Sequence, residues 1–424
     1  MKKKLPLGTV TVLMLLAVLL TFQITYLAVN NIYSQKLAEV TEQVNSYKKL
    51  ASVDKIARSL YVGNIDEEKL TDSIIAGYMS GLGDKYSTYM NAEYFKEVMS
   101  DENADLVGIG VLVIYNAEVG ALEVAGVMPD SPALTAGIIP GDLIIRVGDQ
   151  LVSDLGYYIA IDNMKGDEGT TADFTVMRAD ENGVYNEIKF SITRAHVTEQ
   201  TVMYHRYINS DGTNSDIGII KILQFDAKTP EQFKAAVEDL MGQGVTKLLF
   251  DVRYNPGGEL DSITDILDYL LPEGPIIRTV DRDGKWETEY SNASSIDLPM
   301  AVVVNGNTAS AAELFTSALK DYNKAVIVGT KTYGKGTMQS VIPLDDGSAI
   351  SVSTKMYYPP YSDNYEGIGI QPNITVEMAD DVKNINAYKI TDAQDTQLQA
   401  AVYALENPQT TTETTAETDA VQSQ

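Results

Sequence analysis

An α/β fold preceded by a smaller β-rich domain is what this chain of 424 residues predicts, and three patterns carry that prediction. From Ile217 onward, apolar strands alternate with amphipathic helices, the pattern of a sheet covered by helices. Between residues 104 and 196, short strands punctuated by turn residues replace that alternation. Helical segments flank both, in regions 36–103 and 381–406.

Composition narrows the chemistry. The chain is longer than one hydrophobic core usually organises, and 44% hydrophobic content is ordinary for globular domains. The 32 basic residues set against 59 acidic ones leave a net charge of −27. Nucleic acid and anionic headgroups would be repelled, so neither is the expected partner. Cysteine is absent, and only His196 and His205 supply imidazoles; disulfides, thiolate metal sites and a cysteine nucleophile are thereby removed. Both histidines read as surface or packing residues. No metal and no cofactor are implied.

Residues 1–35 open with three lysines and then carry no charge from Leu5 to Gln35, a length that crosses a bilayer as a helix. The lysines keep that end in the cytoplasm, which puts everything after the span on the far side of the cell membrane. A cleaved secretory signal is the competing reading, but no convincing small-x-small cleavage site stands near Ala28. In region 36–103, Leu37, Val40, Val44, Tyr47 and Ala51 mark one face of a helix. It reads as a stalk or packing helix and leaves a homodimer contact open. Region 381–406 contains the helix DTQLQAAVYALEN, and 407–424 is polar and acidic without periodicity, a disordered tail.

Within 104–196, VGIGVLVIY, ALEVAGVM, DLIIRVGDQLV and ADFTVMR read as strands, and SPALTAG as a short helix entered at Pro132. The run GVMPDSPALTAGIIPGDLIIRVGDQLV resembles the core of a PDZ domain, and Gly108-Ile109-Gly110-Val111 resembles that family's carboxylate-binding loop. Amides freed by glycines can hold a terminal carboxylate while a strand edge pairs with an extended peptide. Taken alone, Gly-x-Gly fits a simple bulge equally well.

Region 197–380 carries the alternation. IGIIKILQF is a strand, and KTPEQFKAAVEDLMGQG is a helix with Thr229 as N-cap, Pro230 in the first turn and Gln232 completing a capping box. TKLLFDVR, MAVVVN and AVIVG are further strands, each followed by a polar, glycine-bearing loop: YNPGG (254–258), NGNTAS (305–310) and KTYGKG (331–336). Reactive groups in such sheets gather at these strand ends. Ser310 needs a base to become a nucleophile, and with histidine scarce Lys335 is the candidate, provided that burial lowers its pKa. Gln339 can orient the amine without the charge that would hold it protonated. The amide of Ala311, with Gly257 or Gly258, could stabilise an oxyanion. Each residue also has a plain reading: Ser310 as a helix N-cap, Lys335 as a solvated residue in a glycine turn. Glu313 reads as structural, Asp251 as a partner of local backbone or Arg253, and DRDGKW (281–286) as a hairpin turn rather than a calcium loop.

DVRYNPGG, NTASAAELFTSALKD, VGTKTYGKGTMQSVIPLDDGSAISVSTKMYYPP and GIGIQPNITVE resemble, in that order, the motifs of the C-terminal processing peptidases, membrane-anchored bacterial branch. The likeness spans residues 70 to 400 and includes the inserted PDZ domain. It implies a crotonase-like serine protease core and a serine endopeptidase with a Ser-Lys dyad. Ser310 would be the nucleophile, Lys335 the general base and Gln339 the supporting residue. It also implies a PDZ domain that captures protein C-terminal tails and helps gate the site. Lys165-Gly166 stands where relatives often have Arg-Gly, so Lys165 is the candidate gating residue, and Ala312 stands where many have serine. The alternative function is a membrane-tethered PDZ binding module on an inactive protease-like scaffold.

Overall fold

The computed structural model describes residues 7–102, 105–116, 119–180, 183–293, 295–383 and 390–408. The N-terminal lysines, and the acidic tail beyond its first two residues, lie outside that set. The chain divides into two compact units, Met1–Ile75 and Ala76–Gln424. In the first, one unbroken helix runs Leu7–Leu60, so the apolar span and the stalk helix form a single element. Its segment Thr11–Asn30, with mean hydropathy 2.3, is long and apolar enough to cross a membrane. The face expected at Leu37, Val40 and Val44 falls on side chains outside the described set.

The second unit is organised by a six-stranded sheet: β1 (Val202–Ile208), β2 (Asn214–Ile222), β3 (Lys247–Asp251), β4 (Met300–Val304), β5 (Ala325–Gly329) and β6 (Ile374–Thr375), in that spatial order. β1 pairs antiparallel with β2, and every later pairing is parallel. Alternate residues face opposite sides. Ile220, Ile222, Leu248, Phe250 and Val302 pack under helices α1 (Thr229–Gly242), α2 (Leu260–Leu270) and α3 (Ala311–Asp321). Leu249, Ala301, Val303 and Val328 pack under α4 (Thr396–Glu406). A buried cluster locks α4 to the sheet. The Arg253 guanidinium grips Asp251 at 2.7 Å and Asp395 at 2.6 Å, and Asp395 caps α4 by accepting from the amides of Gln397 and Leu398.

The β-rich domain stands on a two-stranded stem, where residues 105–108 pair antiparallel with 195–198. Beyond the stem, strands 111–116, 121–127, 143–147, 171–179 and 185–193 form one antiparallel sheet. A second sheet in the core joins 88–90, 349–358, 274–281 and 286–291, with 337–343 also on 349–358. Residues 281–286 close the 274–291 hairpin, and Asp281 Oδ1 accepts the amides of Asp283 and Lys285.

Two local expectations are corrected. VGIGVLVIY is two strands, because Gly110 adopts φ 79° and turns the chain between them. Thr229 begins α1 instead of capping it. Lys228 is the N-cap and makes no side-chain cap bond; the incoming turn is held by Asp226 Oδ1, which accepts the amides of Lys228 at 2.8 Å and Thr229 at 2.9 Å. Gln232 reaches sideways: its Oε1 accepts the amides of Thr201 and Val202. Asp226, three residues before Thr229, takes the Thr229 amide that the box would have used, and the start of β1 gave Gln232 other partners.

Phe315 is fully buried on α3, its ring 5.3 Å from that of Phe250 and 6.0 Å from that of Phe225. Phe315→Ala should lower unfolding free energy by about 3–5 kcal/mol in urea denaturation. A loss under about 1 kcal/mol would mean that this contact does not organise the core.

Candidate functional site

Parallel strands β2 to β5 end at one edge of the sheet, where their loops meet. Hydrogen bonds between loops fix them. Thr308 Oγ1 donates to the Val252 carbonyl at 2.9 Å, the Ala309 amide to that of Asn255 at 3.0 Å, and the Tyr333 amide to that of Thr308 at 3.0 Å. Asn255, fully buried, donates through Nδ2 to the Ile222 carbonyl at 2.9 Å. Loops after four strands are thus held as one surface.

Ser310 sits on a strained turn at the start of α3, with φ 57° and ψ −122°. Such a conformation costs a non-glycine residue about 1–3 kcal/mol and persists only where the surroundings over-determine it. Here they do. Gly257 passes so close that a Cβ on it would lie 2.6 Å from Ser310 Cβ, and a Cβ on Gly258 would lie 1.9 Å from the Phe225 carbonyl oxygen. Glycine is required at both by steric contact as well as by positive φ. The Gly257 amide is already engaged, donating to Asn255 Oδ1 at 2.8 Å. Among the described residues, the amides of Gly258 and Ala311 have no hydrogen-bond partner.

Glu313, one turn into α3 and fully buried, joins this turn to the lysine loop. Its carboxylate accepts from the Ser310 amide at 3.0 Å, Thr332 Oγ1 at 2.5 Å, the Gly334 amide at 2.7 Å and the Lys335 amide at 2.8 Å. Burial pushes its carboxyl pKa up, and those donors pull it back. The structural role expected for Glu313 therefore extends across two loops.

Lys335 is half-buried, and desolvation lowers its pKa against the opposing pull of Glu366, Asp84 and Glu313. Its Nζ rests over the ring of Tyr86, 4.9 Å from the centroid, and Lys85 Nζ lies 4.6 Å from the same centroid. Among the described residues, no hydrogen bond joins Lys335 Nζ to Ser310 or Gln339. Gln339 Nε2 donates instead to Ser353 Oγ at 3.0 Å and Thr337 Oγ1 at 3.2 Å. The lysine main chain is pinned, since the buried Tyr357 hydroxyl donates to the Lys335 carbonyl at 2.5 Å. Neither tyrosine carried a sequence signal, because each meets the loop only through tertiary packing.

Ser310, Lys335, Gln339, Gly257, Gly258 and Ala311 all line one cleft of about 660 Å³. Gly108, Ile109, Gly110 and Val111 lie elsewhere, at the base of the β-rich domain. There the Ile109 carbonyl accepts the Ala133 amide at 2.8 Å, and a Cβ on Gly110 would strike Ser131 Cβ at 2.3 Å. Lys165 is exposed at the end of helix 152–164. The guanidinium beside that helix end belongs to Arg194, buried and donating to the carbonyls of Asn163, Met164 and Thr171. Sequence reasoning passed over Arg194, which follows the last strand of its domain and has no local motif.

Three family descriptions match the chain: Peptidase family S41 over residues 216–376, a PDZ domain over 123–171, and the activating protease CtpB N-terminal domain over 14–94. A carboxy-terminal-processing protease of Bartonella bacilliformis is 32% identical over 357 residues, covering 82% of this chain and 79% of that protein. A probable CtpA-like serine protease of Staphylococcus epidermidis is 31% identical over 363 residues, covering 85% of this chain and 71% of that protein. The crystal structure of a putative S41 protease from Bacteroides fragilis has the same fold, with TM-score 0.53 and 17% identity over 82% of this chain and 92% of that one.

The lowered pKa of Lys335 has a consequence for stability. The neutral amine suits the folded state, so its favourable contribution is present above the ordinary lysine value of 10.5 and is lost as pH falls through the lowered value. Lys335→Met should therefore raise the urea midpoint at pH 7, and the gain should shrink as pH approaches 10.5. A difference constant with pH would show that the amine is not perturbed.

Proposed function

The chain belongs to peptidase family S41, and from that premise we propose that Ser310 is its nucleophile, Lys335 its general base and Gln339 a supporting residue. The protein is a serine-type protease, and the inactive-scaffold reading is not favoured. The observation that carries the assignment is the convergence of Ser310, Lys335 and two unengaged amides, those of Gly258 and Ala311, on one cleft. Ser310 Oγ attacks the scissile carbonyl while its proton passes to the neutral Lys335 amine. The oxygen that becomes negative takes hydrogen bonds from the Ala311 amide at the N-terminus of α3 and from the Gly258 amide of the glycine loop after β3. Lys335 returns the proton to the leaving amine, then accepts one from the water that hydrolyses the acyl-enzyme. For this, its Nζ leaves the face of Tyr86 and turns to Ser310. Gln339 releases its contacts with Thr337 and Ser353 and orients the amine. Gly257 serves through close approach to Ser310, since its amide is committed to Asn255.

Protein substrates fit the PDZ domain. In this reading the Gly108–Val111 loop holds the terminal carboxylate of a substrate tail, and Lys165 takes part in gating. Thr11–Asn30 anchors the chain in the cell membrane with the catalytic unit on the extracytoplasmic side. Full-length protein in detergent, incubated with an unfolded protein substrate, should cleave it, and Ser310→Ala and Lys335→Ala should each lower the rate at least about 10³-fold. Equal proteolysis by all three would eliminate the dyad.

A further inference from the structure

Lys335 keeps difficult company for a base. Burial lowers its pKa, but the carboxylates of Glu366, Asp84 and Glu313 all favour its ammonium, with Lys85, exposed to solvent, opposing them. Two of those carboxylates are pinned to the lysine loop: Glu366 Oε2 accepts the Gly336 amide at 2.7 Å, and Glu313 Oε2 the Lys335 amide at 2.8 Å. Neighbouring anions hold a proton on an amine, so its release here depends on the exclusion of water. The ring of Tyr86 lies over that amine, with Nζ 4.9 Å from the centroid. Burial pushes the tyrosine's own pKa up, so the ring stays uncharged where lysine bases titrate.

That ring is built into place. Asp84 Oδ1 accepts the Tyr86 amide at 3.1 Å, and Asp84 Oδ2 accepts Ser87 Oγ at 2.5 Å. Ser87 Oγ in turn accepts the Ser353 amide at 3.1 Å, and residues 88–90 pair antiparallel with 349–351. The same strand, 349–358, sets the lysine. Tyr357 donates its amide to the Gly336 carbonyl at 3.1 Å and its hydroxyl to the Lys335 carbonyl. Ring and amine are therefore registered against each other by one strand. No hydrogen bond explains the tyrosine, because its buried hydroxyl has no partner. Attraction between the ring face and an ammonium explains it poorly, since Lys85 Nζ lies 4.6 Å from the same centroid and shares that attraction. We propose that Tyr86 is a positioning residue for the reaction: its ring shields the amine of Lys335 from water until that amine turns to Ser310. The inference rests on the serine-protease reading of the same cleft.

The pH dependence of kcat/KM for an unfolded protein substrate, measured with full-length protein in detergent, tests this. In Tyr86→Ala the amine meets water and its pKa rises. The acid limb should move to higher pH by at least about half a unit, a loss of about threefold below the limb with the alkaline plateau kept. Tyr86→Phe keeps the ring, discards only the unpartnered hydroxyl, and should restore the wild-type limb. Tyr86→Leu serves as the second variant if Ala fails to fold: it keeps apolar cover without a ring face, and its limb should stay within about half a unit of wild type. An acid limb that stays put in Tyr86→Ala, or a rate lowered equally at every pH, would overturn the proposal. So would a limb moved to lower pH in Tyr86→Leu, because the ring would then have been holding the ammonium. Competitive acetylation of Lys335 in the Ser310→Ala background, read by mass spectrometry, follows the same titration without turnover: the pH at which the amine becomes reactive should rise in Tyr86→Ala, and an unchanged value counts against Tyr86. If wild type also fails to cleave unfolded protein, the protease reading has failed, and the acetylation titration still decides the role of the ring.

Discussion

One buried carboxylate holds together the edge of the sheet where Ser310 and Lys335 meet. Glu313 has no solvent to stabilise it and compensates with four donors from two loops that are distant in sequence. A buried anion left unpaired would cost several kcal/mol, so each donor is held in place by the need to satisfy it. Ser310 can therefore remain at φ 57°, and the amide of Lys335 is fixed within hydrogen-bond reach of the helix that begins beside the serine. The same device leaves the Lys335 side chain free to move, because only its backbone is bound, by Glu313 and by the Tyr357 hydroxyl. Position is rigid at the main chain and adjustable at the amine.

That division accounts for the arrangement around Tyr86. Desolvation disfavours the ammonium, while the ring face, within 4.9 Å, offers it weak electrostatic compensation. Gln339 is likewise occupied with Thr337 and Ser353. In the proposed mechanism the reactive geometry differs from this one by side-chain rotations of Lys335 and Gln339, with the loops, the helix terminus and the amides already in place. Away from the cleft, the Asp251–Arg253–Asp395 cluster welds α4 to the end of β3, which steadies the strand leading into the glycine loop.

Much of this was legible in the residues. The apolar runs TKLLFDVR, MAVVVN and AVIVG, alternating with helices, announced an α/β sheet, and polar glycine loops after each brought Ser310, Lys335, Gly257 and Gly258 together at strand ends. What stayed hidden was decided by contacts across the fold. Glu313 was recognisable as structural, but its grip on Thr332, Gly334 and Lys335 depends on how α3 faces the 330–336 loop. Thr229 and Gln232 satisfy a capping pattern that Asp226 pre-empts, and Gly110 breaks a stretch that hydropathy alone reads as continuous. Tyr86 and Tyr357 belong to segments far from Ser310 in sequence, and no spacing rule reaches that far.

Amide hydrogen exchange in Glu313→Gln tests the claim about the buried carboxylate most directly. Glutamine keeps the size but, whichever oxygen its NH2 replaces, turns a donor toward at least one main-chain amide that can only donate. Exchange at Ser310, Gly334 and Lys335 should accelerate at least about tenfold, the equivalent of 1.4 kcal/mol, while amides in the centres of β3 and β4 keep their protection. Unchanged exchange at those three positions would contradict the account, because the two loops would then be held by something other than residue 313.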